Sequence, residues 1–531
     1  MNAVKINLPY KVHRNIFLFF TAVLCVGLFF SVFLVSVAGI GIAANWLWEG
    51  NLKNKLQKLR KSKPALLVLL FFALHIAGLL WTNHDYDYGL KDIRIKLPLL
   101  LFPVVLSTIN PFSRMEEKIL GGIFILTALT ATFYSYYLYQ AYYPHEITDI
   151  RNISVFISHI RFSLLLVTAI TLLFYGIYTK HIKGYVLYLA AFAGIWFVYF
   201  IGLLHVISGA LGLASVIIAG VILFAHELKK NYRITLFIAL SVAFVITLSY
   251  LGSKAYDYLR HKDYPDYSIT KTAQGEKYIH DKNNNLRENG YLIYRFIAPV
   301  ELEKAWNERS RLKFDGYDKR NQPLRSTLIR FLTSKGEKKD AEGVHNLTAR
   351  EVEAIENGIA GKPYLNASGL ELRMLKVLYE LNNYREGANP SGHSVAMRIE
   401  FLKTGIHIFK KYPLLGTGTG DVPHEFEAAY NETNNELSSK YRYRAHNQFL
   451  TVALTFGIPG LSLFILCFVF SVRTANRLQN KFFILFIIHA ALSMISEDTL
   501  ETQIGVTFFS FFFFVFLYNL SLYADKGNPP T

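Results

Sequence analysis

The chain has 531 residues, of which 52% are hydrophobic, 15% aromatic and only 18% charged, against about 25% charged in an ordinary soluble domain. Those proportions exclude a disordered chain, a coiled coil and a typical soluble enzyme. The formal charge of +17 calls for an anionic partner, and beside such apolar runs that partner is lipid rather than nucleic acid.

A helix needs about 20 mostly apolar residues to cross a bilayer. Twelve stretches are predicted to do so: Asn15–Phe30, Ser31–Trp48, Pro64–Trp81, Leu90–Ile109, Lys118–Gln140, Phe162–Thr179, Gly184–Leu203, Val206–His226, Ile234–Gly252, Asn447–Phe470, Phe482–Ser496 and Ile504–Tyr523. The first run is too long for a signal-peptide core, so no cleaved leader is expected. Asn15 to Trp48 is long for one helix and short for two. Basic residues decide the matter, because Lys/Arg-rich loops stay in the cytoplasm. Lys5, Lys11 and Arg14 precede this run and Lys53, Lys55, Lys58, Arg60, Lys61 and Lys63 follow it. Two spans must therefore separate them. The same alternation places both termini in the cytoplasm and puts Asn83–Tyr88 and Ala141–Ile160 outside. The two cysteines, Cys25 and Cys467, lie inside apolar runs and offer neither a disulfide framework nor a thiolate metal site.

Residues 253–445 break the pattern. They hold 31 Lys/Arg and 26 Asp/Glu and no membrane-length apolar run, which reads as a folded, mainly helical soluble insert on the outer side. The division is 1–252, a membrane domain of about nine spans; 253–445, the insert; and 446–531, a membrane domain of about three spans. Thr348 with Glu351, and Ser368 with Glu371, have the spacing of capping boxes that start helices. Val395–Phe409 reads as an interfacial helix with Arg398, Leu402, Gly405 and Phe409 on one face, stopped by Lys410 to Pro413. No internal repeat of the kind common in transporters is visible.

Three clusters could carry chemistry. The first is GTGTGD at Gly416–Asp421 followed by YRYRAHNQFLTVALTFGIPG at Tyr441–Gly460, with Arg442, Arg444 and His446 at the mouth of the tenth span. An imidazole there is wet enough to titrate and dry enough to be tuned. Anchoring to lipid headgroups is the structural alternative. The glycine run could cradle phosphate, but without a following Lys-Ser/Thr a tight turn between helices is the better reading. The second is SHIRFSLLL, with His159 and Arg161 at the outer mouth of the sixth span; a guanidinium suits pyrophosphate because its fork donates two parallel bonds. The third is SEDTLETQ, where Glu497, Asp498 and Glu501 either position the arginines or bind a hydroxyl, with solvation the expected state of at least two. Gly202, Ser208, Gly209, Ala210, Gly212 and Ala214 read as a helix-packing stripe.

The run RIEFLKTGIHIFKKYPLLGTGTGD and the later HNQFLTVALTFGIPGL resemble the O-antigen ligase and O-antigen polymerase superfamily of membrane glycosyltransferases. The shared pattern is an Arg-bearing amphipathic helix, a proline, a G-x-G turn, then His-Asn and G-I-x-G at the head of a span. It covers Arg398 to Leu461, and Trp306 to Gly361 is similar to the long periplasmic loop of some members. The resemblance implies an all-α, GT-C-type polytopic fold in the bacterial inner membrane, with 253–445 periplasmic. It implies transfer of a glycan from undecaprenyl pyrophosphate to an acceptor hydroxyl of lipid A core. By motif position His446 matches the family histidine and Arg398 the loop arginine, with Arg161 the counterpart of an earlier arginine and Arg444 in reserve. His159, Glu497, Asp498, Glu501, Gly418 and Asn447 are candidates for acceptor binding or support. One departure is that Ser208-Gly209-Ala210 stands where family members often carry Ser-Arg.

The chemistry expected of such a reaction fits these residues. A sugar 1-pyrophosphate already has its leaving group, so the enzyme must supply cations for the departing pyrophosphate and a base for the acceptor. Arginine rather than a metal is the expected counter-charge, and no cofactor is expected. In-line displacement with inversion follows, with His446 as base. O-antigen polymerase and protein O-oligosaccharyltransferase are alternatives differing in acceptor, and a transporter is the alternative of another class.

Overall fold

The computed structural model describes residues 9–142, 149–264, 268–367 and 369–521. The protein is an all-α polytopic membrane protein. Among the described residues, eight helices are long and apolar enough to cross a bilayer: Tyr10–Phe30, Lys63–Trp81, Arg114–Tyr142, His159–Tyr178, Val186–Leu203, Ile207–Glu227, Lys230–Leu259 and Gln448–Arg477. The four other predicted stretches are also helical but shorter, bent or broken. Val32–Trp48 continues into Leu52–Lys61 through a 114° bend. Leu90–Ile109 divides at Leu97 into Tyr86–Lys96 and Pro98–Leu106. Lys481–Ser496 and Gln503–Asn519 are short apolar helices, and the last two residues of the predicted Ile504–Tyr523 span lie outside the described residues.

The split at Ser31 is correct, and its physical basis is visible. Ser31 leaves the helical region at φ −159° and its side chain accepts from Leu34 N–H at 3.4 Å, capping the second helix. The two helices fold back on each other. A Cβ on Gly27 would lie 2.9 Å from Val35 N, and one on Gly41 would meet the Phe20 ring at 2.4 Å. At the far end His13 Nδ1 and Asn45 Oδ1 are 2.9 Å apart. One apolar core runs through the membrane helices, with the aromatic run Phe508–Phe516 buried along Lys481–Ser496. Lys230–Leu259 differs, since no residue of its apolar window is buried.

The insert is mainly helical and has its own core. Trp306, Leu324, Leu328, Phe331, Leu332 and Ile355 pack together from the helices Pro299–Arg309, Leu324–Lys335 and Ala349–Glu356. A two-stranded ribbon pairs Arg287–Glu288 with Tyr291–Leu292. Buried Glu288 ties the insert to the membrane side: it accepts from Tyr258 and Tyr364 at 2.8 and 2.7 Å and pairs with Arg330 at 2.7 Å. The capping box at Thr348 and Glu351 is present, while Ser368 of the second predicted box lies outside the described residues. Ser394–Lys411 covers the predicted interfacial helix Val395–Phe409, but of the predicted face Arg398, Leu402, Gly405 and Phe409 only Gly405 is buried. The helix buries Ala396, Phe401, Thr404, Gly405 and Ile408, turning Phe401 toward His446 at the head of Gln448–Arg477 with ring centroids 5.4 Å apart.

Candidate functional site

The site is built where a membrane helix is deliberately broken. Gln448–Arg477 contains Gly457 at φ 66° and Pro459 two residues on. Proline has no N–H, so Thr455 O loses its helical donor. Ile458 N–H turns instead to Pro413 O at 2.9 Å, which frees Leu454 O. The GTGTG turn fills both vacancies: Thr417 N–H donates to Leu454 O at 2.8 Å and Gly418 N–H to Thr455 O at 3.0 Å. Thr419 Oγ1 donates to His75 O at 2.7 Å, and Gly420 N–H to Thr82 Oγ1 at 3.0 Å. The turn's backbone donors are thus spent on protein, and the phosphate-cradle reading falls in favour of a turn joining two helices. A side chain would not fit, because a Cβ on Gly416 would lie 2.3 Å from the Thr455 backbone. The turn fastens the insert's C-terminal helices to the head of the broken span.

That anchoring fixes His446. Its backbone is left-handed at φ 47°, an uncommon conformation for a residue other than glycine. The N–H of His446 donates to Asp498 Oδ2 at 3.1 Å, and the other Asp498 oxygen accepts from Thr451 Oγ1 at 2.7 Å. Asn447 caps the helix, accepting from Leu450 N–H at 2.9 Å, and donates to Ile495 O at 2.9 Å. The imidazole Nδ1 is buried, 3.5 Å from Glu497 Oε2. This is close enough for charge attraction but outside good hydrogen-bond geometry. Phe401 and Tyr443 flank the ring, which stays about one-third exposed, at 34% of its side chain.

Glu497 joins the candidates. Its Oε1 takes the Arg398 guanidinium while Oε2 faces His446. Arg161, in the first turn of His159–Tyr178, lies within the electrostatic reach of Glu497 and Asp498, and its Nε is buried without a hydrogen-bond partner. His159, the first residue of that helix, feels the charges of Glu497 and Arg398 as well as those of Arg151 and Asp149. Three sequence-distant groups therefore converge on one carboxylate: Arg398, His446 and, by its field, Arg161. Gly209, where the Ser-Arg pair is missing, packs against the same helix; its Cβ would lie 2.6 Å from Ser163 Cβ.

Glu501 anchors a second knot. It accepts from Lys96 Nζ at 3.0 Å, Arg444 Nη1 at 3.1 Å and Gln448 Nε2 at 3.1 Å. Lys96 also donates to Asp92 at 2.7 Å, and Arg444 lies over the Tyr88 ring at 5.4 Å. Burial alone would raise the Glu501 pKa, but the cations of Lys96 and Arg444 hold it down to about 2. Asp498 shifts the other way, raised by loss of water and by the Glu501 charge. The expectation that at least two of these three carboxylates are merely solvated is wrong, since each is held by cations or donors. Asp92, Lys96, Gln448 and Thr451 were not singled out from sequence. The signal for the first two was an i,i+4 acid–base pair inside a stretch counted as a membrane span.

Paired carboxylates thus order arginines and a histidine at one end of the membrane helices. Residues 356–465 match the O-antigen ligase family. The match spans 110 of the 531 residues. The matched segment contains Arg398, the GTGTGD turn, Arg444, His446 and the break at Gly457. No curated protein matches the chain significantly.

Proposed function

We propose that the protein is a glycosyltransferase that moves a glycan from undecaprenyl pyrophosphate to an acceptor hydroxyl, that of lipid A core, at the periplasmic face of the bacterial inner membrane. The observation that carries this reading is the convergence of His446, Arg398 and Arg161 on Glu497 within a superfamily of ligases. With Nδ1 turned to the Glu497 carboxylate, Nε2 of His446 is the nitrogen left to take the acceptor proton. Glu497 stabilises the imidazolium that results. The acceptor oxygen bonds to the anomeric carbon as the bond to the pyrophosphate oxygen breaks, so configuration inverts. The electron pair leaves with the undecaprenyl pyrophosphate. Arg161, with a buried unpartnered Nε, and Arg398, one-third exposed on Glu497, are suited to that departing charge, because guanidinium donates to two phosphate oxygens at once. Arg444 is committed to Glu501 and serves as a positioning residue. The reaction as written uses no cofactor.

Deletion of the gene with analysis of lipid-linked glycan tests the reading. Accumulation of full-length glycan on the carrier, with loss of surface glycan, is the expected result. Accumulation of single repeats would identify a polymerase instead. Unchanged surface glycan together with altered solute movement would overturn the enzyme reading altogether.

A further inference from the structure

Away from Glu497 the structure gathers a second set of metal-ligating side chains. His84 stands in the turn before Tyr86–Lys96, while His424 and Glu425 lie in the first turn of Val422–Glu432. Ligand atoms of the three residues all lie within 4.8 Å of one another. The two imidazoles are stacked, with centroids 3.8 Å apart and planes 15° apart. Both rings are exposed and Glu425 is buried.

The backbones that carry these groups are fixed to each other. Asp421 accepts from the backbone N–H groups of Asn83, His84 and Asp85 at 2.7, 2.8 and 3.3 Å. The loop bearing His84 is thereby tied to the start of the helix bearing His424 and Glu425. Tyr412 O–H donates to Glu425 Oε1 at 3.2 Å and orients the carboxylate, as an outer-shell partner does for a metal ligand. Lys411 Nζ, 3.7 Å from Oε2, competes for the other oxygen and is itself exposed enough to move aside.

Two imidazoles and one carboxylate form a donor set that suits zinc and leaves a fourth position for water. We propose that His84, His424 and Glu425 bind one divalent ion of the zinc class on the outer seam between the Tyr86–Lys96 helix and the GTGTGD turn. In the stacked pair the ring lone pairs lie in two nearly parallel planes, 15° apart, and cannot meet at one point. Binding therefore turns one exposed ring until both nitrogens point at the ion, and exposure leaves room for that rotation. The ion is a fastener, not a reactant. Tyr86–Lys96 carries Lys96, which donates to both Asp92 and Glu501, so a clasp at its start steadies that knot. The proposal is independent of the transfer reaction.

Full-length protein in detergent, stripped with EDTA, is titrated with ZnCl2 by calorimetry beside His84→Ala and His424→Ala, with thermal unfolding measured on each. The wild type should take up one more equivalent than either variant, and Zn2+ should raise its Tm but leave both variants unmoved. MgCl2 in place of ZnCl2 should do neither, because magnesium prefers oxygen ligands. Equal uptake and equal Tm response in wild type and variants would overturn the proposal. So would an equal response to MgCl2. Both substituted rings are exposed, so both variants should fold; if one does not, the other alone decides.

Discussion

At the scale of single residues, one carboxylate decides how the proposed chemistry is shared. Glu497 faces His446 with one oxygen and holds Arg398 with the other. A positioned base contributes about 10²–10⁴-fold, so His446→Ala should lower transfer by that order while donor binding survives on the arginines. Glu501 is the carboxylate least able to replace it, since Lys96 and Arg444 hold it ionised with a pKa of about 2. Full activity in His446→Ala together with none in Asp498→Asn would move the base to Asp498. Arg161→Lys and Arg398→Lys keep the charge but lose the fork; each should cut transfer strongly at normal expression, and donor titration should show raised KM. Wild-type turnover in both would remove the arginines from the site.

Lys96 is a residue whose loss should be felt as stability. It is buried and serves both Asp92 and Glu501, and removing one partner of a buried ion pair costs about 3–5 kcal/mol. Lys96→Ala should therefore unfold at markedly lower temperature in detergent. The pH dependence has a definite sign. Glu501 titrates below its ordinary 4.5, near 2, so its stabilisation is complete above pH 4.5 and is lost as pH falls toward 2. Asp498 is raised and works in the opposite sense. The comparison of wild type with Glu501→Gln, which lacks the acid-labile component, isolates the Glu501 contribution; identical acid profiles in the two would refute it.

At the scale of elements, the sequence carried the pieces and the fold supplied their partners. The helix Ser394–Lys411, the turn at Gly416–Asp421 and the hairpin at Ser31 were readable from periodicity, glycine spacing and charge, whereas the cap at Asn447 was not singled out. What could not be read was which carbonyls the GTGTG turn would fill, because the need arises from Pro459 on a different helix. Likewise Leu90–Ile109 passed as a span because hydropathy counts residues one at a time. Lys96 is tolerated there because it pairs with both Asp92 and Glu501, the latter 405 residues later. The fit at Gly416 gives a direct test. Positive φ in a residue with a Cβ costs about 1–3 kcal/mol, and at Gly416 that Cβ would also strike the Thr455 backbone at 2.3 Å. Gly416→Ala should fail to accumulate or unfold far earlier than wild type. Gly50→Ala is the control: φ is 69° but nothing lies within 4 Å, so only the smaller conformational cost should appear. Equal melting of the two variants would show that the turn does not bear on the broken helix.

At the scale of the whole molecule, the proposed reaction requires that the insert and the Glu497 cluster share one side of the membrane. The family segment, residues 356–465, runs from the insert straight into the Gln448–Arg477 helix, so His446 stands where the insert re-enters the bilayer. Arg398 on the insert meets Glu497 between two short apolar helices, which joins both segments at one membrane face. Charge alternation in the short loops predicts that this face is the outer one. Lys319 is exposed on the insert, and both native cysteines are buried in apolar helices, so Lys319→Cys introduces one reactive thiol against a quiet background. A membrane-impermeant maleimide should label it in intact spheroplasts as fully as after lysis. Labelling only after lysis would place the insert in the cytoplasm, remove His446 from any periplasmic acceptor, and refute both the topology and the reaction built upon it.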